Sequence, residues 1–320
     1  MRHKNLDGVL GEAPVVFFEQ HPTFGGHVYA TPTDELYTGT TTISGAWRKD
    51  FLAPWHALEA VKELGYFDPK YDKELKGLKG DALTKKLAEK WDWVLKVKQG
   101  METLTPQQYV KLLEHAKGAA KRLSEAAKDD GHEAHSWIES FICTFLDGSL
   151  KAKPEPTKTE AKNAVSAFLK WHEREKDSIE WLASEETVGS KVHRVAGTLD
   201  ALLNYRSLLT IGDIKTSNQL SEDYLLQLAG YDIQLAEMGL QARQWLIIRT
   251  PKDGSEVETL TVNDPKLMQF ARESFLHQRE SHRFYVYAES KLKSGDGFAR
   301  KMKVDTDTKV GPEQTNESKK

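Results

Sequence analysis

Two short stretches carry residue types suited to one kind of chemistry. Gly197-Thr198-Leu199-Asp200 closes one apolar run, and Ile211-Gly212-Asp213-Ile214-Lys215-Thr216 closes the next. Alternation along a strand sends Asp213 and Lys215 to one face and Ile214 to the other. A hairpin between the two runs would set Asp200 beside Asp213. Two carboxylates so placed can hold a hard divalent cation, Mg2+ or Mn2+, which prefers oxygen ligands, and the Ile214 backbone carbonyl is a further oxygen donor. Such a cation lowers the pKa of a bound water and neutralises charge building on a phosphoryl group. A lysine alongside can orient that water and add positive charge near the phosphate. The combination points to phosphodiester hydrolysis. The plain alternative for Asp213 and Lys215 is a same-face salt bridge on a half-exposed strand.

Elements to position these residues are visible in the surrounding pattern. Glu185–Ser190, Val195–Tyr205 and Leu208–Lys215 read as three consecutive strands, with turns at Gly189-Ser190 and Arg206-Ser207. Ser221 can cap a helix that carries Tyr224, Gln227, Leu228, Tyr231 and Leu235 and closes at Gly239. Gln227 and Tyr231 lie one turn apart on one face, so Gln227 can reach the site or a DNA phosphate. Arg243–Arg249 reads as a buried strand, and Asp264-Pro265 opens a last long helix. Upstream, a short helix should start near Ala53 and a second should carry Leu83, Leu87, Trp91 and Val94. A third should start at the capping-box sequence Thr105-Pro106-Gln107-Gln108 and run toward Lys128. Asp129-Asp130-Gly131 should break it, with new helices over His132–Phe145 and around Val165, Phe168 and Trp171. Residues 1–50 read as irregular or short-stranded. The order of helices and strands predicts an α/β sandwich, a central mixed sheet flanked by helices.

Composition narrows the class. The chain has 320 residues, is 39% hydrophobic and carries a net charge of −3. That charge neither supports nor opposes a local basic groove. No apolar run approaches the roughly 20 residues needed to cross a bilayer, and no apolar segment follows the amino-terminal Met1-Arg2-His3-Lys4. A soluble, cytoplasmic protein without membrane partners is the expectation. A single cysteine, Cys143, excludes a multi-cysteine zinc site and a cysteine-ligated iron–sulfur cluster. His132-Glu133-Ala134-His135 falls one residue short of the zinc-protease spacing. The tail from about residue 290, rich in Lys, Gly, Asp and Thr, reads as disordered.

Taken together, Gly197–Asp200, Asp213-Ile214-Lys215-Thr216-Ser217 and Gln227-Leu228-Ala229-Gly230-Tyr231 resemble the RecB-like branch of the PD-(D/E)XK nuclease superfamily. That branch carries a metal-binding histidine on an upstream helix, with a glycine before it and a glutamate four residues after. His135, between Gly131 and Glu139, fits that pattern better than His132. Thr40-Thr41-Thr42-Ile43-Ser44 followed by Phe51-Leu52-Ala53-Pro54-Trp55 is similar to the opening of mitochondrial genome maintenance exonucleases and their phage relatives. The matches touch residues 40–250, with nothing recognisable at 65–115. The second acidic residue is Asp213 where glutamate is commoner, and the cluster-binding cysteines of some subfamilies are missing.

The resemblance implies a restriction-endonuclease-like core at residues 116–289, preceded by a mostly helical region at 1–115 over the active-site face. It implies metal-dependent cleavage of DNA, single-stranded and from an end. Asp200 and Asp213 would bind Mg2+ or Mn2+ with the Ile214 carbonyl and His135, Lys215 would position water, and Gln227 would assist. Thr41, Thr42, Ser44, Trp47, Arg48, Lys121, Arg122 and Tyr231 are the candidate DNA contacts. Trp47 stands out as a stacking residue because it lies beside Arg48 and Lys49, whereas Trp55 and Trp91 sit on apolar helical stripes and should be core. Glu185 could add a carboxylate near the metal, or be a solvated residue beside Glu186. Two rivals stand beside the exonuclease: a catalytically silent nucleic-acid-binding module, and a sequence-specific endonuclease of the same superfamily.

Overall fold

The computed structural model describes residues 1–23, 26–45, 52–70 and 72–294. Three short strands, β1 (Val16–Phe18), β2 (Val28–Ala30) and β3 (Leu36–Gly39), come first and pair antiparallel in sequence order. The hydroxyl-rich run that follows is helical: α1 (Thr40–Ser44) buries Thr40, Ile43 and Ser44. Helices α2 (Leu52–Glu63), α3 (Gly80–Glu102) and α4 (Pro106–Lys117) come next. The capping box forms at α4, where Gln108 N–H donates to Thr105 Oγ1 and Thr105 N–H donates to Gln108 Oε1 at 2.9 Å. On the apolar stripe of α3, Leu83, Leu87 and Val94 are only half-buried, and the helix buries no residue fully. Trp91 is half exposed and meets the Phe67 ring edge to face, instead of sitting in a core as its spacing suggests.

The expected break at Asp129-Asp130-Gly131 does not occur. One continuous helix, α5, spans Ala119–Leu146, and Gly131 is buried inside it. Glycine in a helix interior costs about 1 kcal/mol against alanine. Here it permits close packing, because a Cβ at Gly131 would lie 3.0 Å from Thr216 Oγ1. Helix α6 (Thr159–Glu175) leads into strands β4 (Ile179–Ser190), β5 (Val195–Tyr205) and β6 (Leu208–Lys215). Gly189 and Ser190 remain within β4, and the chain turns after them. Arg206 and Ser207 join β5 to β6 with φ of 52° and 65°, a two-residue hairpin whose left-handed pair matches the strand twist. Helix α7 (Asp223–Glu237) crosses to β7 (Gln244–Arg249), parallel to β6, and β8 (Glu258–Val262) closes that edge.

The sheet order is β1-β2-β3-β5-β6-β7-β8, with β4 on the other side of β5. Helices flank it on both faces. One apolar core joins Leu199, Leu202, Ile211, Trp245 and Ile247 to Leu228, Leu235 and Phe275. The other joins Ala201, Leu203, Ile214, Leu246 and Ile248 to Trp137, Ile142, Phe168 and Trp171. The alternation along β5, β6 and β7 thus feeds both faces, giving the central mixed sheet flanked by helices that the order of elements predicts. Helix α8 starts at Pro265, where the Asp264 carboxylate accepts from Lys266 N–H at 2.8 Å, and runs to Ser294. Residues 290–294, expected in a disordered tail, are thus helical, while 295–320 lie outside the described residues. The chain divides into two units, Met1–Gln278 and Arg279–Lys320. Among the described residues no helix is long and apolar enough to cross a membrane.

Candidate active site

Register alone brings the first two carboxylates together. Ala201 pairs with Gly212 across β5 and β6, which sets Asp200 directly opposite Asp213. The sheet opens at this point. β5 pairs with β3 at Val195 and Ala196, and with β6 only from Ala201 onward. At Asp200 a side chain takes over the ladder, because its Oδ2 accepts from Ile214 N–H at 2.7 Å. Asp213 is fully buried, and Lys215, two residues on, turns to the same face.

Lys215 holds the cluster electrostatically. Its Nζ lies 2.7 Å from Asp213 Oδ2 and 2.9 Å from Oδ1, but only Oδ1 is aligned to accept a hydrogen bond. Oδ2 is left buried without one. The same ammonium donates to Gln227 Oε1 at 3.2 Å and lies 5.2 Å from the centre of the Tyr224 ring. Gln227 Nε2 in turn donates to the buried Tyr231 hydroxyl at 2.9 Å, so α7 sets the lysine's direction through two side chains. Burial works against charge here. Desolvation pushes the Asp213 carboxyl up to about 6 against the pull of Lys215, with Asp200 adding to the rise. Asp200 is raised by desolvation and held back by Lys215.

His135 arrives from α5, with Nδ1 3.9 Å from Asp200 Oδ2. Desolvation, then the nearby Lys215 charge, lowers its pKa to about 4, so the imidazole is neutral at pH 7 and can offer a lone pair. Glu185 sits across β5 from Asp200, between the pairs Ser184–Ala201 and Glu186–Leu199. Its φ of 49° is left-handed in mid-strand, a conformation that costs about 1–3 kcal/mol in a non-glycine residue. Its side chain reaches solvent, yet desolvation by the cleft walls and then Asp200 and Glu139 hold its carboxyl above the ordinary range. The strand alternation gives no hint of this residue's place, because the β4–β5 register is set by a bulge near Trp181 and Ala183.

The remaining predicted residues scatter. Tyr231 is core: its ring presses on Gly197, where a Cβ would lie 2.5 Å from Cε1. Thr41 and Thr42 are exposed on α1, whereas the Ser44 hydroxyl turns inward to the Thr41 carbonyl at 3.5 Å. Arg122 is committed to structure, bonding the Glu63 carboxylate of α2 and the His115 carbonyl at 2.8 Å. Lys121 is exposed and 3.7 Å from Glu125. Trp47 and Arg48 lie outside the described residues. Sequence reading missed Thr40, whose buried hydroxyl donates to the Ala196 carbonyl and accepts from Gln234 Nε2 at 2.7 Å, tying α1 to β5 and α7. It also missed Lys252, which lies in the β7–β8 loop with no periodic signal around it.

Whether these residues suit a divalent cation can be tested on the donors themselves. Among the described residues no three His, Cys, Asp or Glu groups stand as a ready-made metal cage. The donor set nevertheless fits a hard cation: a half-buried carboxylate, Asp200, and a fully buried one, Asp213, with an oxygen lacking a hydrogen bond, beside a neutral imidazole and the Ile214 carbonyl.

No protein-family model matches the chain, and no curated protein matches it. Several solved structures share part of the fold. The alkaline exonuclease LHK-Exo from Laribacter hongkongensis is 11% identical, with a TM-score of 0.28 over 49% of this chain and 84% of its own. LHK-Exo in complex with dAMP is 13% identical, with a TM-score of 0.27 over 50% of this chain and 84% of its own. A candidate exonuclease from Eubacterium rectale is 13% identical, with a TM-score of 0.33 over 51% of this chain and 67% of its own.

Proposed function

We propose that the protein is a metal-dependent deoxyribonuclease of PD-(D/E)XK type that acts as an exonuclease on single-stranded DNA. The observation that carries this reading is the convergence of Asp200, Asp213 and Lys215 at the opening of the sheet, with Lys215 aimed by Gln227. Two neighbouring carboxylates, one buried and one half-buried, repel one another, and structure alone gives no reason to keep both. Asp200, Asp213, the Ile214 carbonyl and His135 would hold Mg2+ or Mn2+, which supplies Lewis-acid stabilisation of a scissile phosphate and a more acidic water. Lys215 would leave Asp213 on loading, turn its ammonium to the attacking water and offset charge on the phosphate. Gln227 limits the directions open to Lys215, and Tyr231 fixes Gln227. The preference for a free single-stranded end rests on the resemblance at residues 40–55 and on the helical region α2–α4.

The rival reading is a silent binding module, favoured by one observation: the Asp213–Lys215 ion pair is already closed. Linear and circular DNA, single-stranded and duplex, labelled at either end and incubated with Mg2+, Mn2+ or EDTA, separates the readings. Loss of linear single strands in metal, with closed circles intact, is the expected result. Nicked circles would establish an endonuclease, and no cleavage of any substrate would leave the binding module.

A further inference from the structure

Next to the candidate active site is an open surface depression of about 360 Å³ between α5, the end of β6 and the β7–β8 loop, with no residue of α7 in its lining. Lys128 and His132 line it from α5, Lys252 from the loop, and Thr216 and Ser217 from the segment following Lys215. His135 and Lys215 form its inner wall, so it is continuous with the proposed chemistry. Packing of Gly131 on Thr216 brings the α5 cations this close.

The charges here are not balanced by the protein. Among the described residues neither Lys128 nor Lys252 has a carboxylate partner. Three of the nearby acids are occupied elsewhere. Asp130 pairs with Lys158 at 3.0 Å, Glu133 accepts from Thr157 Oγ1 at 3.0 Å, and Asp253 accepts from Ser255 N–H at 3.0 Å. Lys252 is steadied by donating to the Ala127 carbonyl at 2.9 Å, which leaves two ammonium hydrogens free for a ligand. The wall bearing Ser217 is rigid too, because Arg249, itself buried, donates to the Ser217 carbonyl at 3.2 Å.

Resting on the nuclease reading above, we propose that this cavity is a second phosphate subsite. It takes the backbone phosphate of the nucleotide next to the scissile bond, with Lys128 and Lys252 as the paired cations. Two unpaired lysines beside hydroxyl groups suit a phosphodiester anion, and continuity with Lys215 limits it to a neighbouring phosphate of the same strand. Lys128 and Lys252 are thus positioning residues that set which linkage reaches the carboxylates.

The test is binding of a fluorescent single strand to the full chain in EDTA across a salt series, together with steady-state cleavage in Mg2+. The variants are Lys128→Ala/Lys252→Ala and, for equal charge loss elsewhere, Lys191→Ala/Lys266→Ala, two exposed lysines after β4 and at the start of α8. Releasing one phosphate should flatten the log–log salt slope by about 0.7 and raise KM by roughly tenfold, more than kcat falls. A strand with one neutral methylphosphonate linkage, moved position by position, should weaken wild-type binding at one position and leave the cavity variant indifferent there. A cavity variant that matches the Lys191→Ala/Lys266→Ala control in slope and KM overturns the subsite while leaving the nuclease standing. Sensitivity of wild type to no single linkage, with displacement by inorganic phosphate, overturns a backbone ligand in favour of a free anion. Wild-type chain that neither binds nor cleaves overturns the nuclease reading, and the subsite with it.

Discussion

Gly197 is where fold and chemistry are most tightly joined, and Gly197→Ala should expose the connection. A Cβ there would stand 2.5 Å from Tyr231 Cε1, 2.7 Å from Thr40 Oγ1 and 3.1 Å from Thr40 Cβ. Ordinary contact is about 3.5–4.0 Å, so the ring must retreat by roughly 1 Å. It has little room: Tyr231 is 2% exposed and Thr40 1%. Overpacking costs about 1–3 kcal/mol, and obstruction by two buried neighbours places this substitution near 3. At about 2–4 °C per kcal/mol for a chain of this size, Tm should fall by roughly 6–12 °C. Displacing Tyr231 also loosens its 2.9 Å bond from Gln227, so the aim of Lys215 suffers and cleavage should drop about tenfold or more. Urea unfolding with an unchanged m value measures the first effect, and single-strand cleavage the second. Tyr231→Ala should relieve part of the clash, giving a coupling of about 1–2 kcal/mol in the double variant. Additive losses, or a Gly197→Ala protein as stable as wild type, would refute the packing argument.

Three further outcomes follow from particular groups. Tyr231→Phe leaves Gln227 Nε2 buried without its acceptor, which should cost about 1–3 kcal/mol in urea and lower kcat with little change in KM. His172 is buried among Phe141, Phe145, Phe168 and Trp181, and burial lowers its pKa from 6.5. The native state therefore binds its proton less readily than the unfolded chain, so its contribution is complete above pH 6.5 and lost as pH falls below that value. His172→Gln should flatten the stability–pH curve there, and an unchanged curve would contradict the assignment. Arg272→Met strands the buried Asp232 carboxylate, whose Oδ2 accepts from Arg272 Nε at 2.8 Å and Nη2 at 2.6 Å. A loss of about 3 kcal/mol at pH 7 is expected, shrinking as acid protonates a carboxyl that burial already raises.

The triad's geometry was legible because it depends on short-range rules. Alternation fixes Asp213 and Lys215 on one face, and a two-residue connection fixes Asp200 against Asp213. The capping box at Thr105 is equally local. What sequence could not show depends on packing partners. Asp129-Asp130-Gly131 has the composition of a break, and only the approach of Thr216 explains a glycine kept inside a helix. Trp91 sits on an apolar stripe, but α3 is covered only enough to half-bury the rest of that stripe. Sequence leaves Glu185 open between a site carboxylate and a solvated residue, and only the bulged register sets it against Asp200; Lys252 shares a cavity wall with Lys128 across more than a hundred residues of chain. Arg122 reads as a surface cation until Glu63 of α2 is placed beside it.

The most direct test of the catalytic reading is the rate at which an end-labelled linear single strand is cut in Mg2+ by wild type and by Lys215→Ala. Far-ultraviolet circular dichroism would verify that both are folded. If Lys215 orients water and offsets phosphate charge, its removal should slow cleavage by about 10²–10³, with EDTA abolishing the wild-type reaction. A Lys215→Ala protein that cuts at the wild-type rate, or wild-type cutting that persists in EDTA, would contradict it.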